Sequence, residues 1–212
     1  MKFYATWINH LIILIVFITA PVFGFQAIKP KSGLDNLKLK LKSGQVFQAT
    51  ITHSYIDTFT NDTLFTIGKI WIYNDGYRLE SENRIITVND SVSKVYNSIK
   101  EQLIISPYSA IEDDFAPSRF IQASETDFNI KEKSDKAKKQ WFVQLRSKDD
   151  FSLFNTIELT LDEWFGPVAV NANDQNGNVN TTLFTNAIWQ DYDKKIQEID
   201  YPESTEIIDL RE

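Results

Sequence analysis

Hydrophobic positions in this chain change their spacing along its length, and each change marks a different kind of element. Residues 11–20 are apolar apart from Thr19 and show no amphipathic period. Residues 29–44 (KPKSGLDNLKLKLKSG) then place Leu34, Leu37 and Leu41 three and four apart, the spacing of one helical face, with Leu39 off that face. From Val46 the period drops to two. In VFQATITHSYI, Phe47, Ala49, Ile51, His53 and Tyr55 alternate with Gln48, Thr50, Thr52 and Ser54, which predicts a strand with one apolar side. Short runs of the same kind follow at 68–73 (GKIWIY), 77–80, 84–88, 93–96 and 102–106. Asp75-Gly76 and Asn89-Asp90 between them read as hairpin turns.

Pro107 closes that series. Residues 108–123 (YSAIEDDFAPSRFIQA) carry Ile111, Phe115, Phe120 and Ile121 at mixed spacing and predict short helices interrupted at Pro117. Alternation returns at 141–146, 156–162, 168–171, 181–188 and 195–199, with Asn176-Gly177 as the clearest turn. The expected fold is mainly β, of the α+β kind: a single meandering antiparallel sheet of roughly ten strands, which must curl to bury one face, with short helices covering it.

The amino terminus reads as a separate object. Lys2 supplies a basic start, the apolar stretch follows, and Val22-Phe23-Gly24 offers small enough residues for cleavage, the order of a secretory signal peptide. A retained membrane anchor competes, because apolar character extends over residues 8–24. The expected organisation is a cleaved signal at 1–24 and one exported, soluble domain at 25–212.

Charge and composition remove several chemistries. The 212 residues carry a net charge of -7, which gives no footprint for nucleic acid. Absence of cysteine excludes thiolate metal sites, disulfides and cysteine nucleophiles. Loss of His10 with the signal would leave His53 as the single histidine, too few for a histidine-based metal site. His53 alternates with apolar neighbours and reads as a core or rim side chain. The trio Glu112-Asp113-Asp114 reads as a solvated helix end, since adjacent carboxylates splay apart and cannot flank one bond. Asp174 to Asn178 has its glycine one position early for a calcium loop and reads as a hairpin turn. No catalytic residue, metal site or cofactor is expected.

Two features remain. The net-basic run at 131–139 (KEKSDKAKK) is either a solvated hairpin loop or a docking patch for an acidic partner or anionic lipid headgroups, with Lys133, Lys136, Lys138 and Lys139 as its candidate cations. The large one-sided apolar side chains, among them Phe47, Trp71, Phe115, Phe120, Trp141 and Phe154, either fill a closed core or line a cavity.

The order of VFQATITHSYI, GKIWIYNDGYRLE, IITVNDSVSKVYNSIKEQLIIS, EDDFAPSRFI, IELTLDEWFGPVAVNANDQNGN and YPESTEIIDLRE after a signal peptide resembles the LolA-type periplasmic outer-membrane lipoprotein carriers over essentially all of 25–212. The resemblance implies an unclosed barrel whose concave apolar face is lidded by short helices. It also implies a monomeric periplasmic shuttle for lipoprotein acyl chains, loaded by an inner-membrane ATP-driven releasing complex and unloaded by an outer-membrane lipoprotein receptor. Candidate cavity residues are Phe47, Ala49, Ile51, Ile70, Ile72, Leu79, Val143 and Leu145 on strands and Ile111, Phe115, Phe120 and Ile121 in a lid over residues 107–123. The family often has an Arg before a Pro in the turn that here reads Asn74-Asp75-Gly76, and its role does not transfer to Arg78. A free-lipid or glycolipid carrier, or an envelope sensing module that binds lipid or lipoprotein without ferrying it, would suit the same cavity.

Overall fold

A computed structural model describes residues 32–89, 91–109, 117–121 and 123–211. The expected signal at 1–24, and Ile111, Phe115 and the Glu112-Asp113-Asp114 trio, lie outside the described residues. Helix α1 (Gly33–Lys42) starts where Ser32 Oγ accepts a hydrogen bond from Asp35 N–H (2.9 Å). Asp35 in the first turn and Lys40 and Lys42 in the last oppose the helix dipole favourably. The chain leaves α1 through Gly44, whose φ of +88° a side chain would strain. As the leucine spacing requires, Leu34, Leu37 and Leu41 are buried, while Leu39 is 51% exposed.

Among the described residues twelve strands form one curved sheet. β1 (Gln45–Ile56), β2 (Thr63–Tyr73), β3 (Gly76–Ser81), β4 (Arg84–Val88), β5 (Val92–Asn97) and β6 (Gln102–Pro107) make one antiparallel meander. After helix α2 (Ser118–Ile121), a second is formed by β7 (Phe128–Asp135), β8 (Gln140–Ser147), β9 (Phe154–Leu161), β10 (Pro167–Asp174) and β11 (Val179–Asp191). β11 folds back along the whole of β1, from Gln45 opposite Asp191 to Ile56 opposite Val179, and so joins the two halves. The sheet order runs from β12 (Glu206–Asp209) through β6 to β1, then β11 to β7, and does not close into a barrel.

Three expectations change. The sheet is not wholly antiparallel, because β12 lies parallel to β6. Residues 195–199 are not a strand: β11 runs on to Asp191, and Asp193 Oδ1 accepts Lys195 N–H (3.0 Å) to start a 3-10 turn over Lys194–Gln197. The lysine run is only partly a loop, since Lys131 and Lys133 sit on β7. The charged Glu132 occupies an inward position there and hides the alternation of Phe128 and Ile130. Of the expected helices broken at Pro117, only the part from Pro117 onward falls among the described residues: the Pro117 carbonyl accepts Phe120 and Ile121 N–H at 3.2 and 3.1 Å at the start of α2.

Between β11 and β12 the chain crosses the outer face of the first meander. Tyr192 meets Tyr73 edge-on at 5.7 Å and Tyr201 lies 6.2 Å from Tyr96. Arg78 pins the strap: its Nη1 donates to the carbonyls of Ile196 (3.1 Å) and Glu198 (2.5 Å), while Nε and Nη2 bind Glu80 Oε1. Under the strap, the buried Tyr73 hydroxyl sits 2.7 Å from the Val88 carbonyl, and burial pushes the phenol well above its ordinary range.

Candidate functional site

Strand pairing decides which side chains share the inner face. Phe47 lies opposite Ile72, Ala49 opposite Ile70, and Ile70 opposite Leu79, so these point the same way. Across the second meander Val143 opposes Leu159 and Leu145 opposes Ile157, again on the inner side. Phe47, Ala49, Ile51, Ile70, Ile72, Leu79, Phe120, Ile121, Val143 and Leu145 thus belong to one buried cluster, together with Leu34, Leu37 and Leu41 of α1. Each of these is at most 8% exposed. α1 packs on β1, β2 and β8 and touches α2, so one half of the concave face is filled by helix.

The helix is tied down at both sides. Glu132 Oε2, inward on β7, accepts Gly33 N–H (2.8 Å), and the Lys38 ammonium donates to the Ala123 carbonyl just after α2. Burial holds the Lys38 ammonium below the ordinary lysine range, against the opposing field of Asp35. Lys40 lies 4.5 Å over the Trp189 ring, and burial lowers its pKa also.

The other half of the concave face is open. β2 extends past β3, because its pairing with β3 ends at Gly68 opposite Ser81 while its pairing with β1 continues to Thr63. The overhang and the β3–β4 hairpin bound a cleft of about 740 Å³. Ile51, Leu79 and Ile86 supply apolar lining; Phe65 and Ile67 flank it from the overhang; Ser81, Glu82, Asn83 and Arg84 form a polar rim. This volume falls in the range of roughly 300–1,000 Å³ typical of small-molecule sites. A second, small space of about 40 Å³ lies beneath α2, between Pro117, Phe120, Phe154 and Ala172, large enough for about one water.

His53 borders both spaces, and its Nδ1 is 2.9 Å from Thr182 Oγ1. Among the described residues no three His, Asp or Glu side chains gather closely enough to hold a metal ion. What the site offers is shape and apolar surface with a polar mouth.

Two of the sequence candidates, Ile51 and Leu79, reach the open cleft, and Phe120 reaches the small space; Phe47, Ala49, Ile70, Ile72, Ile121, Val143 and Leu145 border neither. The cleft's other lining residues, among them Phe65, Ile67, Arg84 and Ile86, were not among the candidates. Leu64, Phe65 and Ile67 give 63–67 apolar residues on both sides, so alternation could not assign a face there. Lys133 is on β7, whereas Lys136, Lys138 and Lys139 form the turn into β8, where Lys139 pairs with Glu163 at 3.0 Å.

Neither a family model nor a curated protein matches the sequence. Among solved structures, an uncharacterized conserved protein from Thermus thermophilus is similar with a TM-score of 0.55 at 15% identity, covering 84% of this chain and 96% of that one. At that identity the likeness is one of fold. Weaker overlaps include a LolA superfamily protein from Nitrosomonas europaea (TM-score 0.45, 11% identity, 79% and 96% covered). A putative outer membrane lipoprotein-sorting protein domain from Vibrio parahaemolyticus also overlaps (0.41, 11%, 77% and 95%).

Proposed function

We propose that this chain is a periplasmic carrier that shelters the acyl chains of lipoproteins in the cleft between the β2 overhang and the β3–β4 hairpin. The observation that carries the reading is the unequal filling of the concave face. Helix α1 plugs one half, and the other half keeps about 740 Å³ beside Ile51, Leu79 and Ile86 under a polar rim. The open-sheet fold and the resemblance of the segment order to LolA-type carriers support the same reading.

Burial of each methylene contributes about 0.8 kcal/mol, so one long acyl chain represents on the order of 10 kcal/mol of water avoidance. A bilayer and an apolar cleft shield the chain about equally well, so extraction from a membrane calls for an external energy source. The proposal therefore includes an inner-membrane ATP-driven releasing complex upstream and an outer-membrane lipoprotein receptor downstream. Residues 1–24 act in it as a cleaved export signal, and 25–212 as a single monomeric domain. The task is binding and release, and it requires no catalytic group or cofactor.

The experiment is displacement of a fluorescent fatty acid by a synthetic diacylated lipopeptide, with native mass spectrometry of the exported protein. The expected result is displacement by the lipopeptide, reduced about tenfold or more in Ile86→Arg, which places a charge beside apolar tails. The outer-face variant Leu183→Arg should bind normally. Equal binding by both variants would overturn the cleft assignment.

A further inference from the structure

We infer that the outer edge of β7 is a docking site for an extended acidic segment of a partner protein, which joins the sheet as a thirteenth strand. This inference stands independently of the cargo in the cleft.

β7 ends the sheet order: it pairs with β8 over eight consecutive positions without a bulge, and among the described residues no strand pairs with its other side. The register shows which backbone groups are left over. Lys148 N–H donates to the Asp127 carbonyl (2.9 Å), which makes Asp127 and Lys148 a hydrogen-bonded pair. Alternating from there, Asn129, Lys131, Lys133 and Asp135 turn their N–H and C=O toward β8. Ile130, Glu132 and Ser134 turn theirs outward, so a regular, unbulged row of donors and acceptors faces away from the sheet.

Charge selects what can pair there. Lys131 and Lys133 point to the outer face from β7, Arg146 joins them from β8, and Lys136 and Lys138 follow in the turn. Among the described residues these five cations make no ion pair within 4 Å. The nearby carboxylates are Asp135, whose Oδ1 is held by Ala137 and Lys138 N–H, and Glu158, which accepts from Gln144. The whole chain carries -7, so this face opposes the sign of the rest.

Lysines on an edge discourage pairing between identical copies, because like charges would face each other. The same lysines favour a strand with Glu or Asp at alternate positions. The occupant that fits is therefore an acidic extended peptide rather than a second copy of this chain.

The test uses the full exported protein and a capped eight-residue peptide of alternating Glu and Val, with a Lys/Val peptide as control. Fluorescence anisotropy measures binding at low and physiological salt, and amide NMR locates it. The Glu/Val peptide should bind, more tightly at low salt, with shifts and new amide protection at Ile130, Glu132 and Ser134. The double variant K131E/K133E should weaken it about tenfold or more. Ser134→Pro removes one outward N–H at an exposed position without changing charge, and it should weaken binding while leaving the thermal unfolding curve of the protein unchanged within error. If Ser134→Pro loses stability, an N-methylated backbone in the peptide replaces it and should weaken binding in the same way. Absence of binding, equal binding of the Lys/Val peptide, indifference to both backbone blocks, or dimerisation of the protein through β7 in sedimentation would overturn the proposal.

Discussion

Glu132 Oε2 accepts a hydrogen bond from Gly33 N–H at 2.8 Å, so a side chain on the edge strand of the second meander holds the first turn of the helix that fills the core. The carboxylate meets an unpaired N–H at the positive end of the helix dipole, where a bond to a charged acceptor is favourable. Glu132→Ala should lower stability by about 1–2 kcal/mol in urea unfolding. Glu132→Gln, which keeps an acceptor without the charge, should lower it less.

The two leucine classes of α1 make a paired test. Leu37→Ala and Leu41→Ala remove side chains that are 1% exposed and should each cost about 2–5 kcal/mol. Leu39→Ala, at a position 51% exposed, should change the unfolding midpoint very little. Equal effects at all three positions would contradict the packing of α1 on the sheet.

A carboxylate in place of Phe120 tests how α2 is held. Phe120 is 5% exposed within the core cluster, and Phe120→Asp should destabilise the protein by about 3–5 kcal/mol, whatever it does to ligand uptake. A lid that only covers the cavity, as the LolA resemblance implies for residues 107–123, would lose ligand uptake on such a change without unfolding the barrel. A stable Phe120→Asp protein would mean that α2 is not seated in the core.

Gly76 is the tightest point of the first meander. A Cβ there would stand 1.9 Å from the Val88 carbonyl oxygen, so β3 and β4 would have to separate. Gly76→Ala should cost about 2–4 kcal/mol, measured by thermal or chemical unfolding. Gly44→Asn should cost less, since no atom lies within 4 Å of a Cβ there and the backbone strain at φ +88° is the only penalty, one that Asn tolerates better than most residues.

Asp209, at the end of β12, is held down to about 2, first by its side-chain hydrogen bond with Arg211. A depressed carboxylate favours the folded arrangement above the ordinary carboxylate range, and that contribution is lost as pH falls through about 2. An NMR titration of the Asp209 carboxyl should find this low midpoint, and Arg211→Ala should raise it toward the ordinary carboxylate range, short of a full return because the backbone N–H of residue 211 still donates to Oδ1. A midpoint unmoved by Arg211→Ala would mean that the guanidinium is not its partner.

Strands with one apolar side were readable because alternation survives wherever one face is buried and the other wet. Phe47 to Tyr55 shows this, as does the turn at Asn176-Gly177, while the turn read at Asp75-Gly76 falls one residue earlier, at Asn74-Asp75, with Gly76 already on β3. Legibility failed where a functional or structural role broke the pattern. Glu132 disguised β7 because its inward carboxylate serves the helix, and 63–67 gave no face because that end of β2 hangs free of β3. β12 escaped notice because four residues, EIID, carry no alternation and gain their place only from pairing with β6. The cleft was the least legible element. Its existence depends on how far α1 reaches across the concave face, and no local spacing encodes a helix's lateral position.

The alignment of β11 along β1 carries a cost in time. The first strand to be synthesised finds its long neighbour only after more than half the chain has followed, and ordering so large a loop slows the search. Until residue 191 arrives, Phe47 and Ile51 have half their shelter missing. A nascent polypeptide of this kind keeps those side chains wet until β11 has been made, and it sets into shape late.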